Sequence, residues 1–217
     1  MGDHRLRLSP PDPPEVVTTH IPWASALRWQ SADEDEGPLP ALTVFITQRA
    51  FVRVCAHAGS DLQNEVGGAL AGKWRVDAAS GRSFVVVEAV LPAPFTRQGS
   101  TFVTFTQDSL VALNDELESR CPGKRMVGWY HTHPRMGIFL SGYDTWLHEH
   151  FFPEPWQVAL VIDPHAVEGG FFIRDADGGL QPQRNFGFGE LLDARRRSVV
   201  HWHNMRAILE EQVQAGG

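Results

Sequence analysis

Short apolar runs and helical spacings alternate along the middle of the chain, and together they predict an α/β protein. Four to eight apolar residues bounded by turn residues are typical of a buried strand, whereas apolar residues at every third or fourth position predict a helix with one buried face. Residues 77–81 resemble a turn, so the strands on either side should form a hairpin, and Thr47 is expected to cap the first helix. The predicted strands span residues 42–47, 66–74, 84–91, 101–106, 125–130, 156–163 and 169–174, and the predicted helices span residues 48–58, 107–120, 145–152 and 189–214.

The two ends of the chain differ from this middle part. Residues 1–20 carry four prolines among charged residues, and residues 31–37 are rich in Asp and Glu. Such stretches are typical of poorly ordered chain, although the apolar residues between them, including Trp23 and Trp29, should dock on the domain. The 217 residues, 42% of them hydrophobic, are enough for one domain with a good core. We predict a flexible N-terminal segment (1–37), one α/β domain (38–185) and a C-terminal helix packed on it (186–217).

Charge and cysteine content narrow the class of partner and the compartment. A formal net charge of -7 argues against a nucleic-acid partner, because such binding needs clustered Lys and Arg. Two cysteines, Cys55 and Cys121, do not make a disulfide scaffold, so a reducing cytoplasm fits best. No apolar run approaches the roughly 20 residues needed to span a bilayer, and the N-terminus lacks a signal-peptide pattern. We expect a cytoplasmic protein that engages neither nucleic acid nor membrane.

Three residues near the middle of the chain predict a metal site. His131 and His133 follow a predicted strand and are two positions apart, so both imidazoles should project from the same face of the sheet. Pro134 ends the strand, and the loop that contains Gly137 lets the chain turn back so that Asp144 can add a carboxylate. Two nitrogens and one oxygen, with a fourth position left for water, are typical of a catalytic zinc.

Histidines two positions apart also occur in proteins without a metal, and this chain contains two further pairs of this kind. His148 with His150 and His201 with His203 lie in segments predicted to be helical. Residues two apart on a helix point about 200° apart, so neither pair could bind one ion, and we expect polar-face or interface residues there.

The complete string around the first pair is more specific. His131, Thr132, His133 and Pro134, then six residues, Ser141, two residues and Asp144 resemble the signature of the JAB/MPN metalloprotease family, often called the JAMM motif. The run Val-Ile-Asp-Pro that ends at residue 164 also resembles this family, and the likeness covers roughly residues 40–175. The resemblance implies the MPN/JAB (cytidine-deaminase-like) fold, a central mixed β-sheet flanked by helices, here with the C-terminal helix added.

The resemblance also implies a reaction and a role for two further residues. The family cleaves isopeptide bonds to ubiquitin and its relatives with one Zn²⁺ per chain, and a catalytic Glu assists the attack of a zinc-bound water. Glu65 matches that Glu, since it lies between the first helix and a glycine-containing strand; otherwise it would be an ordinary surface acid. Ser141 would donate a hydrogen bond to the carbonyl oxygen in the transition state.

The expected partners are ubiquitin or a ubiquitin-like protein with its conjugates, together with activating or conjugating enzymes of the same pathway. Two alternatives stay open at this point. The chain could release small adducts from a ubiquitin-like sulfur carrier, as some bacterial relatives do, or it could be a non-catalytic MPN scaffold.

Overall fold

A ten-stranded mixed sheet forms the centre of the molecule, and the computed structural model describes it through residues 16–35, 40–93 and 107–208. The strand order is β10-β2-β9-β3-β5-β4-β6-β7-β8, and β1 pairs with β4 outside this path. The strands are β1 (Thr18–Thr19), β2 (Ala26–Ser31), β3 (Leu42–Thr47), β4 (Gly67–Asp77), β5 (Ser83–Pro92), β6 (Arg125–Thr132), β7 (Val158–Asp163), β8 (Glu168–Phe172), β9 (Phe188–Leu191) and β10 (Met205–Ile208). The α-helices of these ranges are α1 (Gln48–Ala58), α2 (Gln107–Arg120) and α3 (Gly142–Phe151).

The helices cover both faces of the sheet. Successive residues of β7 alternate between two apolar clusters: Leu160 belongs to the cluster that contains Phe51 of α1, whereas Val161 belongs to the cluster that contains Leu113 of α2 and Leu147 of α3. All six residues of β7 are buried, as expected for a strand with helices on both sides. The predicted mixed sheet flanked by helices is therefore confirmed.

Several local predictions are also confirmed. The strand 42–47 and the helix 48–58 have the predicted bounds, and the Thr47 side chain caps the helix by accepting a hydrogen bond from the amide of Ala50. β4 and β5 form the predicted antiparallel hairpin. The predicted strand 101–106 lies outside the described residues.

The predicted C-terminal helix is wrong for the part of the chain that is described. Residues 188–191 and 205–208 form the strands β9 and β10, and residues 209–217 lie outside the described ranges. β9 lies between β2 and β3, where Gly189 packs so tightly that an added Cβ would lie 2.4 Å from the ring of Phe45. Trp202, predicted on a helix, lies in the loop between these strands and packs on Phe51 at 4.8 Å between ring centroids. The helical spacing of the apolar residues therefore reflected burial in a loop at Trp202 and in a strand at Met205.

The N-terminal region also differs from the predicted flexible segment. Residues 1–15 and 36–39 lie outside the described ranges, but β2 pairs with β9 and β10 inside the sheet. Part of the acidic stretch forms a short 3-10 helix, Ala32–Asp35, in which the carboxylate of Glu34 accepts a hydrogen bond from the amide of Gly187 at 2.6 Å. Trp29 packs against the core, which agrees with the predicted docking. The limits of the three predicted parts stay a prediction.

Two further observations concern membrane crossing and the cysteines. No helix in the described ranges combines the length and apolar character that a membrane crossing requires. Cys55 and Cys121 are both free thiols.

Gly72 in β4 provides a test of how closely β4 and β5 pack. A Cβ on Gly72 would lie 1.8 Å from the carbonyl oxygen of Val86 in β5, a contact that only backbone separation could relieve. We expect Gly72→Ala to lower the free energy of unfolding by about 1 to 3 kcal/mol. Urea denaturation measures this effect. Gly142→Ala is the matched control, because a Cβ there meets nothing within 4 Å; equal midpoints for the two variants would contradict the expectation.

Candidate metal centre

The two histidines lie at the buried end of β6, between β4 and β7. His131 is opposite Gly67 of β4 and Val161 of β7 in the sheet register. The amide of His133, just beyond the strand, donates to the carbonyl of Ile162 at 2.8 Å. The exposed fraction is 0% for His131 and 3% for His133. Pairing with β4 on one side and β7 on the other thus fixes the backbone that carries both imidazoles.

The third residue, Asp144, comes from the first turn of α3 and faces them. Ser141 is the N-cap of this helix, and its hydroxyl accepts a hydrogen bond from the amide of Asp144 at 3.2 Å. In return, Oδ2 of Asp144 accepts from the amide of Ser141 at 2.7 Å. This reciprocal capping box fixes the carboxylate at the helix N-terminus, where the helix dipole favours negative charge.

The three side chains converge with the spacing of a metal site. Nε2 of His131 lies 2.9 Å from Nε2 of His133 and 3.4 Å from Oδ1 of Asp144, and Nε2 of His133 lies 3.7 Å from Oδ2 of Asp144. Ligand atoms about 2.0 to 2.1 Å from a tetrahedral zinc are separated from one another by about 3.3 Å, so the observed spacing fits such an ion. Among the residues that the structure describes, this is the one group of three or more His, Cys, Asp or Glu side chains with that convergence.

The protonation states also suit a cation. Burial lowers the pKa of His131, which keeps its imidazole neutral at neutral pH. Burial alone would raise the pKa of Asp144, but the adjacent imidazoles of His131 and His133 and the hydrogen bonds of Ser141 together hold it well below its usual range. Nδ1 of His133 lies 3.3 Å from the carbonyl oxygen of Gly137, and a proton on Nδ1 leaves the lone pair of Nε2 directed at the centre.

A buried aspartate at the end of β7, which the sequence patterns did not single out, shapes the loop after His133. The carboxylate of Asp163 accepts hydrogen bonds from the amides of Arg135 at 3.2 Å and Gly137 at 3.0 Å. Arg135 has a φ of 64°, an uncommon value for a residue other than glycine. Asp163 therefore holds the loop whose Gly137 carbonyl contacts His133. Only its place at the end of a buried strand, before Pro164, could have indicated this role.

Glu65 lies just before the point where the backbone of Val66 pairs with that of Thr132. It is half-buried and precedes β4 by two residues. The amide of Val66 donates to Oγ1 of Thr132, and the amide of Thr132 donates to the carbonyl of Val66, both at 2.9 Å. The pairing of Gly67 with His131 thus continues by one residue to Val66, and Glu65 is the residue just before it in the sequence.

Comparison with known proteins agrees with these features. The family model described as "JAB1/Mov34/MPN/PAD-1 ubiquitin protease" matches residues 40–152, more than half of the chain. The COP9 signalosome complex subunit 5 of Caenorhabditis elegans is 31% identical over 133 residues, which cover 60% of this chain and 34% of that protein. The 26S proteasome non-ATPase regulatory subunit 14 of the same organism is 28% identical over 142 residues, covering 65% of this chain and 44% of that protein.

Two further likenesses are to prokaryotic proteins. A protein named NAD(+) hydrolase TcpA from a Theionarchaea archaeon is 39% identical over 74 residues, covering 34% of this chain and 22% of that protein. A Desulfitobacterium hafniense protein solved in solution is 26% identical and is covered to 90%, with 65% of this chain aligned and a TM-score of 0.47. This chain spans less than half the length of the three curated relatives. From the match over residues 40–152, this chain belongs to the JAB1/Mov34/MPN/PAD-1 ubiquitin protease family.

Proposed function

We propose that this protein is a zinc-dependent isopeptidase that hydrolyses the bond after the C-terminal tail of ubiquitin or a ubiquitin-like protein. The observation that carries the proposal is the convergence of the His131, His133 and Asp144 ligand atoms, all within 4.8 Å of one another, in a member of a family described as ubiquitin proteases. Reported relatives include a signalosome and a proteasome subunit, which favours a substrate related to ubiquitin.

The donor set favours zinc over harder cations. Imidazole nitrogens suit zinc and other late transition metals, whereas Mg²⁺ and Ca²⁺ prefer oxygen ligands. His131, His133 and Asp144 would hold one Zn²⁺ per chain and leave a fourth position open. Zinc bound there would supply a Lewis acid and lower the pKa of a coordinated water to about 7.

Glu65 is proposed as the general base. Its half-buried side chain belongs to the residue just before Val66, whose amide donates to Oγ1 of Thr132, the residue between the two histidines. From there it would accept a proton from the attacking water and then donate it to the departing lysine amine. The same carboxyl group would thus act first as base and then as acid.

Ser141 is proposed to stabilise the oxyanion. Its hydroxyl oxygen accepts a hydrogen bond from the amide of Asp144, and its hydroxyl hydrogen, which can bond the carboxylate of Asp144, would rotate toward another acceptor that carries negative charge. A substrate carbonyl that becomes negatively charged during amide hydrolysis is such an acceptor. The capping box holds this donor in place before substrate arrives, as electrostatic stabilisation requires.

We propose that the protein works in a reducing cytoplasm with enzymes that activate or conjugate the modifier. The two free cysteines are compatible with that compartment. The extended tail of the modifier would bind mainly through its backbone, since strand addition to a sheet edge is a common way to hold such a peptide.

Zinc content gives the first prediction. We expect about one Zn²⁺ per chain in purified protein, and we expect Asp144→Asn to weaken zinc affinity by more than the roughly 10- to 100-fold that loss of an outer partner typically causes. Metal analysis and chelator competition measure both quantities. Glu149→Gln, an exposed acid on the same helix, is the control. Wild-type protein with zinc well below one per chain, and no activity after reconstitution, would favour the scaffold.

Substitution of the proposed base gives the second prediction. We expect Glu65→Gln to keep its zinc but to cleave a fluorogenic C-terminal amide of ubiquitin about 10²- to 10⁴-fold more slowly, because an amide cannot accept the proton. The ubiquitin-like proteins of the same genome should be tested as matching substrates. Hydrolysis by Glu65→Gln at the wild-type rate would exclude this residue as the base.

Removal of the proposed oxyanion donor gives the third prediction. We expect Ser141→Gly to lower kcat about 10²- to 10³-fold with little change in KM. Glycine is tolerated at an N-cap at a loss of only a few tenths of a kcal/mol, so α3 should stay in place. Thermal unfolding controls for the helix, and an unchanged kcat would assign the hydroxyl a purely structural role.

A further inference from the structure

His148 is a buried residue on the helix that carries Asp144. It lies one turn after Asp144, so both side chains project from the same face of α3. Its exposed fraction is 0%, so of the two expected positions, polar face or interface, the polar face is wrong. A fully buried imidazole on a helix needs a physical reason.

One contact of His148 is a hydrogen bond to β6. The indole Nε1 of Trp129 donates to Nδ1 of His148 at 3.0 Å, and both side chains are fully buried. Because an indole nitrogen can only donate, Nδ1 of His148 must carry the lone pair and Nε2 the proton. Burial, followed by the nearby Arg174, lowers the pKa of His148 to about 3, so this neutral form persists at neutral pH.

Trp129 connects this bond to the metal centre. Its ring stacks on the imidazole of His131, with 4.7 Å between centroids and 11° between planes. The chain of contacts therefore closes on itself. It runs from Asp144 along one helical turn to His148, across the hydrogen bond to Trp129, through the stacked rings to His131, and over 3.4 Å back to Asp144.

We propose that His148 and Trp129 are positioning residues that set the carboxylate of Asp144 against the imidazole of His131. The inference deepens the proposed zinc site and rests on it. Apolar contacts, such as those of Leu147 in the same core cluster, hold α3 on the sheet but have little directional preference. A linear hydrogen bond of fixed length does have one. The bond between His148 and Trp129 therefore sets how far α3 is rotated and displaced along β6.

The far end of α3 has its own anchor. The guanidinium of Arg174 donates to the carbonyls of Phe152 at 2.8 Å and Glu154 at 3.1 Å, just after the helix. Together with the apolar packing of Leu147, this keeps α3 attached when the contact at His148 is removed. A change at His148 should therefore shift the metal ligands without detaching the helix.

Burial of His148 also lowers the stability of the fold, and a role at the metal centre would explain why the residue is there. Nε2 of His148 is buried and has no hydrogen-bond partner among the described residues. An unpaired buried donor destabilises a fold by about 1 to 3 kcal/mol. An apolar residue would avoid this cost but could not accept the hydrogen bond of Trp129.

The test is a zinc titration of the full-length apo protein in competition with a chromophoric chelator. We expect His148→Leu and Trp129→Phe each to weaken zinc binding about ten-fold, the low end for an outer partner of a metal ligand. The double variant should be no weaker than either single one, since both remove the same bond. His148→Asn should stay near wild type, because its Oδ1 takes the position of Nδ1 of histidine and can accept from the indole. His150→Leu, an exposed change on the same helix, is the matched control.

Three outcomes would overturn the inference while leaving the zinc site in place: wild-type affinity in His148→Leu, an equal loss in His148→Asn and His148→Leu, or additive losses in the double variant. Absence of zinc binding by the wild-type protein would overturn the proposed function as well. Near-UV circular dichroism of the apo variants checks folding. If His148→Leu does not fold, Trp129→Phe and His148→Asn decide the matter, since only the first removes the bond.

Discussion

The buried end of β6 imposes the central constraint on this protein, because two imidazoles and a carboxylate meet there with little water around them. The exposed fractions of His131, His133 and Asp144 are 0%, 3% and 6%. Buried polar groups are tolerated when their positions are fixed, and two separate elements of backbone structure hold these three residues. β4 and β7 pair with the strand of the histidines, and the N-terminal turn of α3 holds the aspartate. The strand order of the sheet and the start of α3 therefore both determine the geometry of this small centre.

The same contacts serve folding and chemistry at the start of α3. The Ser141 hydroxyl caps the helix and is also the proposed oxyanion donor, while Asp144 completes the capping box and contributes a carboxylate to the centre. A residue with two such duties is hard to replace, since a substitution that preserves the cap removes the chemistry. Asp163 shows a related division of labour. It binds backbone amides of the loop after His133 and acts on the centre without touching the ligand atoms.

Local patterns sufficed for much of the fold near the site. The apolar run 42–47 predicted the bounds of β3, and Thr47 followed by a helical spacing predicted the start of α1, because capping and periodicity are properties of a few adjacent residues. The spacing of His131, His133 and Asp144 predicted their convergence, since a strand, a turn and a helix start leave little freedom over so short a stretch. For residues 188–208 local pattern failed. The apolar residues there recur at helical spacing, yet β9 and β10 form through pairing with strands far away in the chain.

The sequence by itself determined which residues are candidates for the chemistry and where many of the short strands and helices lie, because those properties depend on neighbours along the chain. Only the tertiary structure decided that β2, β9 and β10 extend the sheet, that Asp163 organises the loop after His133, and that His148 is buried against Trp129. The physical reason is the same in each case. A histidine on a helix or an aspartate at the end of a strand has no preference for burial of its own. Its partner is chosen by residues that approach from elsewhere in the chain, over separations that no local periodicity records.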